Sequence, residues 1–75
     1  MTNRRNLAAC LRHKGGMSKD KSEQAVSLIF KEISDLLLCD EKITLAGFGV
    51  FDTRTENGVK IPFFIPSPKL IDEIQ

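Results

Sequence analysis

Ala46-Gly47-Phe48-Gly49-Val50-Phe51 is the stretch on which the fold turns. Two glycines alternate with bulky apolar residues. Glycine lacks a Cβ, so it accepts positive φ and close backbone approach, while the two phenylalanines are left to reach into a core. The pattern predicts a sharp bend, of the kind a bulge or strand kink makes. It lies between a long apolar helix upstream and a short hairpin downstream. Alone, a Gly-Phe-Gly fits a strand bend in any small α+β domain. Its neighbours decide what it means.

Just before the bend, Lys42 to Ala46 alternates and reads as a strand. After it, Val50 to Arg54 reads as a second strand and Thr55-Glu56-Asn57-Gly58 as a turn. Asn-Gly supplies positive φ at both central positions of a type I′ hairpin. Val59 to Ile65 returns as the third strand, with Val59, Ile61, Phe63 and Ile65 on one face and Lys60 and Phe64 on the other. Pro62 has no N–H for a ladder hydrogen bond, which puts this strand at an edge. Pro66-Ser67-Pro68 opens a last short helix. Ser67 is its N-cap, Pro68 sits at N1, and Leu70, Ile71 and Ile74 form its apolar face.

Upstream, residues 3–14 read as a helix with Asn3 as N-cap. Leu7, Cys10, Leu11 and Lys14 follow the i, i+3, i+4, i+7 spacing. A basic last turn followed by Gly15-Gly16 ends it. His13 lies beside the stripe and reads as a surface residue. A second helix starts at Met17-Ser18, with Ser18 as N-cap and Asp20 and Glu23 near its positive end, and runs to about Cys39. Its apolar positions, from Ala25 to Cys39, are wider than one face. One short helix and three short strands are a small partner set for that surface. We therefore expect a dimer with this helix near its centre, and with Ile29, Phe30, Ile33, Leu37, Phe48 and Phe51 in the dimer core. The order is α-α-β-β-β-α in one α+β domain spanning residues 1–75.

Seventy-five residues make a domain that is marginal alone. Cys10 and Cys39 fall within apolar helical patterns and read as reduced core thiols of a cytosolic protein. Two thiols and one histidine fall short of a four-ligand zinc site. No cofactor is implied, and no apolar run approaches the ~20 residues of a membrane span. Net charge is +1, unevenly placed. Residues 1–21 carry six basic residues against Asp20, and residues 22–75 carry five against nine acids. The front can attract a polyanion, or its Lys and Arg simply solvate two helices. No Ser-His-acid or Cys-His arrangement and no Gly-rich phosphate loop presents itself, which argues against an enzyme.

The whole chain resembles the bacterial histone-like HU and integration host factor (IHF) family. Leu7 and Met17-Ser18-Lys19 match the family's first helix and the opening of its second. Gly47-Phe48-Gly49-Val50-Phe51 matches its Gly-Phe-Gly-x-Phe. Lys60-Ile61-Pro62-Phe63-Phe64-Ile65-Pro66 matches its basic-Val-Pro-x-Phe-x-Pro return. The resemblance implies an intertwined dimer whose sheets form a saddle. It also implies two long β-arms that clasp the DNA minor groove and carry an apolar wedge, usually proline, that kinks the duplex.

The sequence departs from that pattern at the arm. The interval is only Asp52 to Lys60, so each limb reaches roughly 10–15 Å at about 3.3 Å per residue. No proline stands at the tip. Asp52 and Glu56 occupy positions often basic in the family. The common Pro-Gly-Lys is Pro66-Ser67-Pro68, which displaces a phosphate-contacting lysine to Lys69 or loses it. The remaining DNA-binding candidates are Arg54 and Lys60 on the stub, Lys69 by the last helix, Arg4 and Lys19 of the basic front, and backbone N–H groups around Gly47 and Gly49. Arg54 and Lys60 read almost as well as a cross-strand solubility pair offsetting Asp52 and Glu56.

Two functions follow. The first is a nucleoid-associated protein of the cytoplasm that binds duplex DNA without base readout, weakly and salt-sensitively, with little wedge-driven bending. The alternative is an interaction module that has lost DNA binding and pairs with a full-length HU-like chain or docks on another protein, with Pro62, Phe64 and Pro66 exposed for a partner.

Overall fold

The structure, a computed structural model, describes residues 1–75. Helices α1 (Arg4–Gly15) and α2 (Lys19–Leu38) come first. Strands β1 (Ile43–Leu45), β2 (Gly49–Glu56) and β3 (Val59–Pro66) follow, and α3 (Pro68–Ile74) closes the chain. Residues Met1–Glu32 and Ile33–Gln75 form two compact units, and α2 runs through the boundary between them.

Local chemistry sets the element ends. Asn3 caps α1 through a reciprocal box: its side chain accepts from the Asn6 N–H at 2.9 Å, and the Asn6 side chain accepts from the Asn3 N–H at 3.1 Å. Gly16, at φ 66°, ends the helix in the left-handed region and donates to the Arg12 carbonyl. The Ser18 hydroxyl accepts from the Lys21 N–H at 3.2 Å and caps α2. The Ser67 hydroxyl accepts from the Leu70 N–H at 3.1 Å, with Pro68 opening α3.

The sheet is antiparallel in the order β1-β2-β3, so the proline-bearing β3 is an edge strand. Asn57 and Gly58 have φ of 51° and 77°, the two positive values a type I′ turn needs. All eight residues of β2 pair with β3, from Gly49 opposite Pro66 to Glu56 opposite Val59. The Gly-Phe-Gly segment is not a kink within one strand. It completes a turn from Leu45 to Phe48 that separates β1 from β2, closed by the Phe48 N–H donating to the Leu45 carbonyl at 2.9 Å. Gly47 takes the positive φ of 77° that such a turn requires at its third residue.

In unit 1 the core is thin. Ala8, Ser22 and Val26 are the buried residues, and the Ser22 hydroxyl donates to the Lys19 carbonyl at 2.8 Å. In unit 2 the rings of Phe48, Phe51 and Phe64 cluster, with centroids 4.8 to 6.5 Å apart. Much of the apolar surface has no cover within the chain: Ile29 is 56% exposed, Leu28 64% and Phe48 44%. Two expectations are corrected here. Cys10 and Cys39 are free but exposed rather than in a core. Cys10 lines an open apolar groove with Leu7, Leu11, Ile29 and Phe30, and Cys39 lies just past the end of α2. No helix is long and apolar enough to cross a membrane.

Candidate nucleic-acid interface

The turn before β2 brings together two candidates that are far apart in sequence. A Cβ placed on Gly47 would lie 3.5 Å from Cδ and 3.8 Å from Nζ of Lys69. The contact is built by α3, because the Ser67 N–H donates to the Phe48 carbonyl at 2.9 Å and fixes the helix start on the turn. The Lys69 ammonium thus sits beside Gly47, the one residue of the turn without a side chain. A point charge beside exposed backbone is a fitting cradle for a phosphate oxygen.

Gly49 does different work. It is buried, and a Cβ there would meet the Phe64 ring carbons at 2.6 Å as well as the Ile65 carbonyl oxygen. Its missing side chain makes room for the aromatic cluster and opens no surface.

The hairpin separates the pair that the sequence set together. Arg54 stands opposite Ile61 and Lys60 opposite Thr55. Side chains alternate faces along a strand, so Arg54 and Lys60 point to opposite faces of the ribbon and are not cross-strand neighbours. The Arg54 guanidinium lies 5.6 Å from the centre of the Phe63 ring, and its Nε is 2.9 Å from Glu56 Oε1. Both side chains of that ion pair are more than half exposed, so the pairing is worth little and leaves Arg54 open to competition. Lys60 instead pairs with Asp40 and donates to the Leu38 carbonyl oxygen at 3.3 Å.

In unit 1 the cations gather along one flank of the α1–α2 contact. Arg4, Arg5, Arg12 and Lys19 rim an open groove floored by Ala8 and Ala9, with Glu23 as its one acid. The Arg4 guanidinium is 5.4 Å from the centre of the Phe30 ring. Arg4 and Lys19 were candidates from sequence, and the structure adds Arg5 and Arg12. Their signal was the seven-residue spacing across Ala8 and Ala9, which puts both on one helix face. Asp40 is the acid that Lys60 meets, a pairing that no local feature of the sequence marks. No group of three or more His, Cys, Asp or Glu side chains is placed to hold a metal ion.

Comparison with known proteins agrees with this architecture. A sequence profile of the family described as "Bacterial DNA-binding protein" matches residues 2–61. DNA-binding protein HU of Lactococcus lactis is 39% identical over 54 residues, covering 72% of this chain and 59% of that protein. Integration host factor subunit alpha of Aliivibrio fischeri is 38% identical over 52 residues, covering 69% of this chain and 53% of its own length. The chain therefore spans little more than half the length of these relatives. An HU variant from Thermotoga maritima superposes with a TM-score of 0.90 at 28% identity, over 99% of this chain and 100% of that one. The chain belongs to the bacterial DNA-binding protein family, that of HU and integration host factor.

Proposed function

We propose that the chain is a nucleoid protein that binds duplex DNA as a homodimer, without base readout and with little bending. The observation that carries this reading is the seating of Lys69 against the Gly47 turn. It pairs a cation with bare, exposed backbone. Arg54, held by an exposed ion pair and by the face of the Phe63 ring, adds a second cation per protomer. In unit 1, Arg4, Arg5, Arg12 and Lys19 offer a separate cluster of cations around their groove. Weak bending follows from the hairpin. Beyond the Thr55–Lys60 pair only Glu56 and Val59 and a two-residue turn remain, with no proline among them. Nothing there is long enough to follow a groove or shaped to wedge open a base step.

The homodimer rests on the uncovered apolar surface of α2 and of the aromatic cluster. Ile29, Phe30 and Phe48 are each more than a third exposed, and Ile33, Leu37 and Phe51 are only half-buried. A second copy gives that surface a partner.

The reading is tested with a ~30-base-pair duplex carrying a donor and an acceptor dye at its ends. Saturation should raise anisotropy and leave energy transfer nearly unchanged. Lys69→Gln should weaken binding to every sequence alike and lower the salt slope by about 1 per protomer. A large rise in transfer would show bending and refute the truncated-arm reading. Absence of binding at low salt, with recovery of a full-length HU-like chain on the immobilised protein, would favour the heterodimerising module instead.

A further inference from the structure

The C-terminus of α2 is closed in two ways, one of them unusual. An α-helix leaves its last four carbonyls without intrahelical donors, here those of Asp35, Leu36, Leu37 and Leu38. Three are met by the backbone that follows. The Cys39 N–H donates to Asp35 and Leu36, the Asp40 N–H to Leu37 at 3.1 Å, and the Glu41 N–H to Leu36 at 2.9 Å. With Asp40 at φ 61°, this is a Schellman ending that has an aspartate where glycine is usual. The fourth carbonyl, that of Leu38, is met by the Lys60 ammonium from 22 residues away. The same ammonium pairs with the Asp40 carboxylate. α2 carries no basic residue in its own last turn, so its negative end and Asp40 share one cation, supplied by the hairpin.

We propose that Lys60 is the cap of α2 and a positioning residue for the hairpin, and that it is not a DNA contact. Lys60 lies two residues after the Asn57-Gly58 turn, so the link holds the hairpin close to its tip. Lys60 lines a mostly apolar groove together with Ser34, Leu37, Leu38, Thr53 and Pro62. Lys60 therefore ties the ribbon to the end of α2 at one point, where its ammonium faces two protein oxygens. Asp40 gains a reason to stand in a conformation glycine prefers, because glycine there would leave Lys60 without a carboxylate.

The test is a double-mutant cycle in melting temperature at fixed protein concentration, using Lys60→Met, Asp40→Asn and both together. Asparagine tolerates the left-handed backbone, so Asp40→Asn removes only the charge. Lys60→Met should lower Tm by about 4–8 °C, and Asp40→Asn should add almost nothing to it, although it lowers Tm alone. Lys60→Arg should restore most of the loss, and amide exchange of the hairpin should quicken in Asp40→Asn although that residue lies outside it. Additive losses, or an unchanged Tm in Lys60→Met, would overturn the proposal. A second arm rests on the DNA-binding reading: the salt slope should be the same for Lys60→Met and the wild-type chain. A slope lowered by about 1 per protomer would make Lys60 a phosphate contact and overturn the proposal. If the wild-type chain binds no DNA, the DNA-binding reading fails while the Tm cycle still decides the role of Lys60.

Discussion

Gly49 has no room for a side chain, and that single absence supports the aromatic cluster. A methyl group there would meet the Phe64 ring at 2.6 Å, with strand backbone on the other side. Neither neighbour is the free end of a flexible chain, so the cluster must shift. Gly49→Ala should lose about 1–3 kcal/mol, as overpacked cores do, read as a lower urea midpoint at fixed protein concentration. An unchanged midpoint would mean that Phe64 repacks freely. The need for glycine here was legible in the Gly-Phe-Gly pattern, but its reason was not. The reason depends on which ring lies across the sheet, and that is a matter of register between β2 and β3. The roles of Lys60 and Asp40 were hidden for a similar cause. Their partnership spans twenty residues, and nothing local marks it.

At the scale of elements, reading and structure agree most closely where the signal is local. Asn3, Ser18, Ser67 and the Asn-Gly turn each act within a few residues of themselves, and each ends or closes the element it was expected to. The end of α1 offers a sharp check. Gly15 is helical, and a Cβ there would make only an ordinary contact with Met17 Cγ at 3.8 Å, whereas Gly16 has φ of 66°. Gly15→Ala should stabilise by about 0.5–1 kcal/mol through helix propensity. Gly16→Ala should destabilise by about 1 kcal/mol because the left-handed conformation opposes a Cβ. Thermal unfolding of the two variants should move in opposite directions, and equal shifts would place the helix end elsewhere. Strand faces were also readable, since alternation fixes which side chains share a side. Pairing across the hairpin was readable too, since the two-residue Asn57-Gly58 turn sets Arg54 opposite Ile61 and Lys60 opposite Thr55, and taking Arg54 and Lys60 for neighbours overlooked it.

For the whole molecule, apolar pattern says which surface avoids water but not which chain covers it. That is why Cys10 was taken for a core residue although it lines an open groove. In the proposed homodimer the exposed Ile29 and Phe30 lie at the interface. Ile29→Lys should then shift sedimentation toward the monomer and lower the melting temperature, and the Tm of the wild-type chain should rise with concentration. A monomer at micromolar concentration for the wild-type chain would contradict the assembly. The family membership and fold were legible from the Gly-Phe-Gly and proline-rich return. The proposed DNA surface was less so, because it depends on Gly47 meeting Lys69 across twenty-one residues of intervening chain.

The most direct measurement is the affinity for a labelled duplex between about 50 and 200 mM salt. Lys69 and Arg54 in each of two protomers give about four neutralised phosphates, for which affinity should fall roughly 100-fold over that range. A steep fall of that order is the predicted result. No binding at the lowest salt, or binding indifferent to salt, would contradict a phosphate-contacting surface built on the Gly47 turn.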